Sequence, residues 1–204
     1  SRRRHTRYGT VTGVQTCALP ISFTVASIRD SDIEPFAQLT AEGQIKQRVR
    51  GCIVWDAQPG SQHEMGERLI AERAKFTTER FKPECVKLFL DGVPTESHTG
   101  AMLQPYADRS DGDVRPEKGL LMISQRELNL AVARFDRMGL SVKFHAAGDA
   151  AVHSAIDAIA YAREENGSSG PIHAVGHSTF VDQADRSEEH TSELQSQFRI
   201  SYAV

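Results

Sequence analysis

The sequence predicts an α/β fold: about four βα units of an incomplete (β/α)8, TIM-type barrel. Short apolar runs alternate with amphipathic stretches in the order α-β-α-β-loop-α-β-α-β. Helical crossovers between parallel strands produce that alternation. The apolar runs end on polar residues, yet no glycine fingerprint of the dinucleotide or phosphate-loop type follows any of them. That combination favours part of a barrel over a doubly wound nucleotide fold.

The elements follow in order. Ile33, Phe36, Ala37 and Leu39 have near-helical spacing, with Ser31 as the expected N-cap and Gly43 as the stop. Arg48–Trp55, RVRGCIVW, reads as a buried strand ending near Asp56. Ser61–Phe81 reads as a charged amphipathic helix with Met65, Leu69, Ala74 and Phe76 inward. Val86–Asp91, VKLFLD, is the second strand. A Gly-, Pro-, Ser- and Asp-rich stretch from Gly92 to Ile123 follows, and loops of that length in compact domains usually carry function or are disordered. Ser124 and Glu127 make a capping box opening a helix through Leu128, Val132, Phe135 and Met138, closed at Gly139. Ser141–His145 is the third strand, turning at Gly148 into a helix from Asp149, the expected N-cap, to about Glu165. After the turn Asn166–Pro171, Ile172–His177 is the last strand.

The composition is that of a globular chain: 204 residues, 39% hydrophobic, 25% charged, net charge −3. Nothing in it points to nucleic acid or an anionic membrane, and no apolar run is long enough to span a bilayer. Cys17, Cys52 and Cys85 form neither a disulfide framework nor a zinc-ribbon spacing, so a cytoplasmic location is expected over secretion. The ends need separate treatment. Val11–Ile21, VTGVQTCALPI, and Arg186–Ser196, RSEEHTSELQS, back-translate to the two complementary strands of one sequencing adapter. Residues 1–22 and 186–204 are therefore expected to be adapter-derived and disordered, with 23–185 a partial barrel lacking its true termini, and such scars are set aside in fold reasoning.

Lys87, His145 and His177 are residues that apolar parallel strands do not require. A lone strand-end histidine is more often a satisfied core or surface group than a ligand. Two at corresponding ends of successive strands are different, because imidazoles from neighbouring strand ends can converge on one ion. Lys87 either snorkels to water from an edge strand or points inward as a charge partner, a base or an anionic ligand once carbamylated.

Three stretches, VKLFLDGVPTESHTGAMLQPYAD, VKFHAAGDAAVHSAIDAIAYARE and HAVGHSTFVDQAD, together resemble the middle of an amidohydrolase of the amidohydrolase 3 group. These are YtcJ-like metal-dependent hydrolases, related to N-substituted formamide deformylases. The resemblance covers nearly all of Val86–Asp185 and implies a (β/α)8 barrel with a small β-sandwich built from both chain ends. It implies hydrolysis of non-peptide C–N bonds (amide, N-substituted formamide or cyclic imide) through a metal-activated water. One or two divalent ions, zinc in expectation, would be held by a carboxylated Lys87 with His145 and His177. Asp91 and Tyr106 would lie at the substrate, a small molecule, while His153 and His173 match no ligand position. Gly148-Asp149 is read as mainly structural. The chain departs from the family pattern at Gly176, where many relatives carry an acid, and at Lys143, where relatives more often have a small or apolar residue. The family's first-strand His-x-His pair and eighth-strand aspartate have no counterpart here, and His98, on a loop, cannot replace them. The 204-residue product is therefore expected to be inactive and only marginally stable. Two other readings stand beside this one: a small α/β binding or interaction module with structural histidines, and a barrel enzyme using Lys87 as a Schiff-base amine. Oligomeric state is left open.

Overall fold

The computed structural model describes residues 21–186 together with the strand at Phe198–Tyr202. In chain order the elements are β1 (Ser22–Ile28), α1 (Asp30–Ala41), β2 (Arg48–Val54), α2 (Ser61–Phe76) and β3 (Phe81–Phe89), followed by α3 (Gln125–Arg137), β4 (Ser141–Ala146), α4 (Asp149–Asn166), β5 (His173–His177) and β6 (Phe198–Tyr202). All strand pairs are parallel, and the spatial order is the sequence order, β1-β2-β3-β4-β5-β6. A doubly wound sheet reverses strand order at a switch point. With right-handed crossovers and no reversal, the helices lie on one face, and the sheet curls as part of a barrel.

That helical face holds the core. Val86, Leu88 and Leu90 from the β3 region and Val142 and Phe144 from β4 pack under Leu128, Val132 and Phe135 of α3 and Val152, Ile156 and Ile159 of α4. Trp55, just after β2, meets Phe135 edge-on at 5.4 Å between ring centroids. The alternate residues of β3 and β4, Cys85, Lys87, Phe89 and Lys143, His145, point to the concave side.

Several elements differ from the sequence reading. β1 carries no expected strand signal, because only Ile28 of its seven residues is buried and the burial pattern does not alternate cleanly. α2 stops at Phe76 rather than Phe81, and β3 starts at Phe81. Phe81, Pro83 and Cys85 are buried between exposed Lys82 and Glu84, which is strand alternation. The β2–β3 register slips between Arg50↔Lys82 and Cys52↔Cys85, beside Pro83, which has no N–H to give the ladder. α1 begins at Asp30, ahead of Ser31, with the Arg29 N–H donating to Asp32 Oδ2 at 3.0 Å. The N-cap of α4 is Gly148, and Asp149 is its first helical residue. The capping box at Ser124 is present, with Ser124 N–H donating to Glu127 Oε2 at 3.3 Å and Glu127 N–H to Ser124 Oγ at 3.4 Å. Cys52 and Cys85, whose spacing gives no reason to pair, are register partners and form a disulfide. Of the ends expected to be adapter-derived, residues 1–20, 187–197 and 203–204 lie outside the described residues, and β6 continues the sheet beside β5. No described helix is long and apolar enough to cross a membrane.

His173, at the start of β5, is fully buried. Its Nδ1 accepts from the Val142 N–H at 3.0 Å, so Nε2 carries the proton and donates to Asp136 Oδ1 at 3.0 Å. Arg163 and Asn166 complete the pairing of Asp136. Burial, helped by Arg163 and opposed by Asp136, pushes His173 down from 6.5 to about 4. The folded chain thus resists protonating a group that the unfolded chain protonates below 6.5. The stabilisation is complete above that pH and is lost as pH falls from 6.5 towards 4. Urea unfolding should therefore show a loss on the order of 2 kcal/mol between pH 7.5 and pH 5. His173→Gln should flatten that dependence and lower stability at pH 7.5; an unchanged pH profile in this variant would contradict the assignment.

Candidate active site

Parallel strands deliver their carboxyl ends to one rim, and the residues singled out from the sequence gather there. Register sets Lys87 beside Lys143, Phe89 beside His145, His145 beside Gly176 and Ala146 beside His177. By strict alternation His177 would follow Ala146 to the helical face, away from His145. Instead His177 adopts φ +76° and Ser178 φ +44°, both in the left-handed region that non-glycine residues avoid. This turn lets the His177 ring reach the His145 ring, at 4.4 Å between centroids and 62° between planes. Backbone outliers of this kind persist where surrounding structure enforces them. Here the Ser178 N–H is held by Ala146 O at 2.9 Å and the Phe180 N–H by Ala147 O at 3.0 Å.

Lys87 is 4% exposed, with its Nζ 4.7 Å above the Phe89 ring centroid. Burial lowers its pKa to about 8, with Lys143 adding to the shift and Asp91 opposing it. His177 is also held below its ordinary value, first by burial, then by the nearby His145 and Lys87 charges. Both effects favour neutral nitrogen lone pairs, the form in which imidazole or amine binds a metal. His145 Nε2 lies 3.0 Å from Gly92 O and 3.6 Å from Asp91 Oδ1. Among the described residues no group of three His, Cys, Asp or Glu side chains is arranged to hold a metal ion. The donor set that does converge is two imidazoles with an amine on the same side of the sheet, and its chemistry suits a divalent ion of intermediate softness.

Asp91 and Tyr106, expected at the substrate, are both engaged with the protein itself. The Asp91 side chain is fully buried. Its Oδ2 accepts from Ala101 N–H at 3.0 Å and Gly148 N–H at 2.8 Å, and Oδ1 from Ala147 N–H at 3.0 Å. In this structure Asp91 positions backbone rather than facing an open site. Tyr106 donates from its hydroxyl to Gly100 O at 2.7 Å. Its ring stacks on His98 at 4.1 Å with planes 1° apart, and His98 Nε2 meets Asp108 Oδ2 at 3.0 Å. Sequence gave His98 no part. It is buried, has φ +49°, and serves as the platform for Tyr106.

Asp149 also acts outside its expected capping part, accepting the Leu103 N–H at 2.7 Å and so holding the 92–123 loop to the start of α4. Gly148 is required by close approach, since a Cβ there would lie 1.9 Å from Ala101 O. His153 lies on the α4 surface and pairs with Asp185 at 2.9 Å.

The chain matches the sequence profile of the amidohydrolase family over residues 12–204. It belongs to the amidohydrolase family. Among curated proteins it is 32% identical over 145 residues to the exoenzymes regulatory protein AepA of Pectobacterium carotovorum subsp. carotovorum, covering 71% of this chain and 28% of the relative. Among solved structures it is similar to metal-dependent hydrolases of Pyrococcus furiosus (TM-score 0.63) and Pyrococcus horikoshii OT3 (TM-score 0.61). Each is 22% identical, with 89% of this chain covering 33% and 32% of those chains. This amidohydrolase chain thus spans about a third of the structures it resembles, and they share its fold.

If Asp91 holds the rim together, Asp91→Ala leaves three buried N–H groups without acceptors and should cost about 3 kcal/mol or more. Native-state amide exchange should lose protection first at Ala101, Ala147 and Gly148. Uniform loss across the α3 and α4 amides instead would contradict a local role.

Proposed function

We propose that this amidohydrolase chain carries one wall of a divalent-metal hydrolytic centre acting on non-peptide C–N bonds: an amide, an N-substituted formamide or a cyclic imide. The observation that supports it most is the meeting of the His145 and His177 rings at 4.4 Å, at the carboxyl ends of adjacent barrel strands. A module with merely structural histidines has no reason to twist the backbone at His177 to bring the two rings together.

In this reading His145, His177 and Lys87 hold one or two divalent ions, with zinc the expected metal and Lys87 serving as its carboxylated form. Such an ion, when bound, supplies Lewis acidity, acidifying water and polarising a carbonyl. The chain's own residues do the rest. Burial keeps His177 neutral, so its lone pair is available near neutral pH. His145 exchanges its contact with Gly92 O for the ligand, and Asp91 fixes the Gly148 turn behind it. Burial raises the Tyr106 phenol above its ordinary value. It therefore stays a hydrogen-bond donor, able to turn from Gly100 O to a substrate oxygen. A small-molecule substrate suits a site built on strand ends and one loop; no nucleic-acid or membrane partner is proposed.

No two of the eight histidines are separated by a single residue, so a His-x-His pair is not among these 204 residues. The chain by itself should therefore show no metal-dependent hydrolysis of a panel of formamides, amides and hydantoins, and turnover abolished by chelation would contradict this. Metal binding should survive. Titration with Co2+, followed by its visible spectrum, should show saturable binding in the wild-type chain, weakened about tenfold or more by His145→Ala or His177→Ala. Equal binding in the wild type and the double variant would overturn the metal reading.

A further inference from the structure

Cys52 and Cys85 belong neither to the strand-end site nor to the buried His173 network. They are buried register partners on β2 and β3, joined by a disulfide. Cys85 sits two residues before Lys87 on the concave side of β3, and Val54 of β2 pairs with Lys87. Towards the amino ends the ladder is interrupted, because the register slips between Arg50↔Lys82 and Cys52↔Cys85. Towards the carboxyl ends it continues, and the Trp55 N–H donates to Lys87 O at 3.0 Å. The covalent tie thus bridges the two strands at the slip, one step below Lys87 on the same face. Two separate thiols would each need a full van der Waals radius where the sulfurs now share a bond. A close-packed interior does not yield that space without movement. A small reductant has a route to the bond. Arg50 and Lys82 line an open cleft at the amino ends of β1, β2 and β3, together with Arg48 and with Glu84, the neighbour of Cys85. The reactive form of a thiol reductant is the anionic thiolate, which these cations draw in.

We propose that Cys52 and Cys85 form a redox switch: oxidised, the pair staples β2 to β3 beneath Lys87, and reduced by a small thiol it frees that seam. In the first step a reductant thiolate attacks one cysteine sulfur, forms a mixed disulfide and expels the other cysteine as a thiolate, which takes up a proton. A second reductant thiolate then attacks the reductant sulfur of the mixed disulfide and releases the remaining cysteine, which is protonated in turn. Two reductant thiols are oxidised to one disulfide, and two electrons and two protons pass to the protein. Any effect on hydrolysis rests on the metal reading above and acts through the strand carrying Lys87. The loosening of the seam itself needs no ion.

The test is hydrogen–deuterium exchange of the metal-free 204-residue chain in glutathione buffers stepped from oxidising to reducing. Cys17→Ser is included so that no third thiol can exchange. Thiol titration of the unfolded chain should detect no free thiol at the oxidising end and both cysteines free at the reducing end. Across that transition, exchange at the Trp55 amide should speed up about tenfold or more, and by a larger factor than at Val142 on the far side of β3. Re-oxidation should restore the slow rate. Cys52→Ala with Cys85→Ala should match the reduced chain in both buffers; where that variant fails to fold, the two buffers decide alone. A pair that stays unbonded in oxidising buffer, a bond that survives reducing buffer, or exchange that rises no more at Trp55 than at Val142 would each overturn the proposal. Failure here, together with Co2+ binding that still depends on His145 and His177, would leave the metal reading standing. Loss of that metal dependence, with a seam that still responds to glutathione, would remove the metal reading and leave the switch.

Discussion

A single buried carboxylate organises the functional rim of this chain. Asp91, two residues beyond β3, has no exposed side-chain surface and accepts backbone N–H groups from the 92–123 loop and from the β4–α4 turn. An ionised carboxylate survives such burial only when its lone pairs are taken up by well-placed donors. Once they are, the three segments can no longer move independently. Gly148 fits only because it has no Cβ against Ala101 O, Ala150 N–H bonds to that same carbonyl at 3.1 Å, and Asp149 holds Leu103. The loop carrying Tyr106 is thus clamped over the strand end carrying His145.

The second constraint is register. Parallel pairing of β3 with β4 fixes Lys87 against Lys143 and Phe89 against His145, and no side-chain preference needs to be invoked for their common direction. Register alone would have sent His177 to the wrong face. The left-handed turn at His177 and Ser178 corrects this and is held by hydrogen bonds to Ala146 and Ala147. The opposite rim has another logic. There His173, Arg163 and Asn166 all hydrogen-bond to the buried Asp136 carboxylate, and His173 also accepts from the Val142 N–H. Chemistry at the carboxyl ends of strands and stability at their amino ends is the usual division of labour in a barrel.

The sheet architecture was legible because helix and strand periodicities alternate, and strand order then decided between a barrel and a doubly wound sheet. β1 was not legible: Phe23 and Val25 alternate with Ser22 and Thr24, but the alternation breaks at Ala26-Ser27 before Ile28, the one buried residue of the strand. The start of β3 was masked because Phe81 also satisfies the helical spacing that precedes it. For the site, residue types marked Lys87, His145 and His177, but their convergence depends on a backbone turn that no sequence pattern announces. Asp91 was noticed for its position after a strand. Its hydrogen bonds to distant backbone could not be read from one sequence, and neither could the stacking of Tyr106 on His98.

The central claim is that His145 and His177 bind the same metal ion. X-ray absorption of the zinc-loaded chain tests it most directly. The account predicts outer-shell multiple scattering from two imidazoles, falling to one in either His145→Ala or His177→Ala. An oxygen-only shell in the wild-type chain, or a spectrum unchanged by both substitutions, would contradict it.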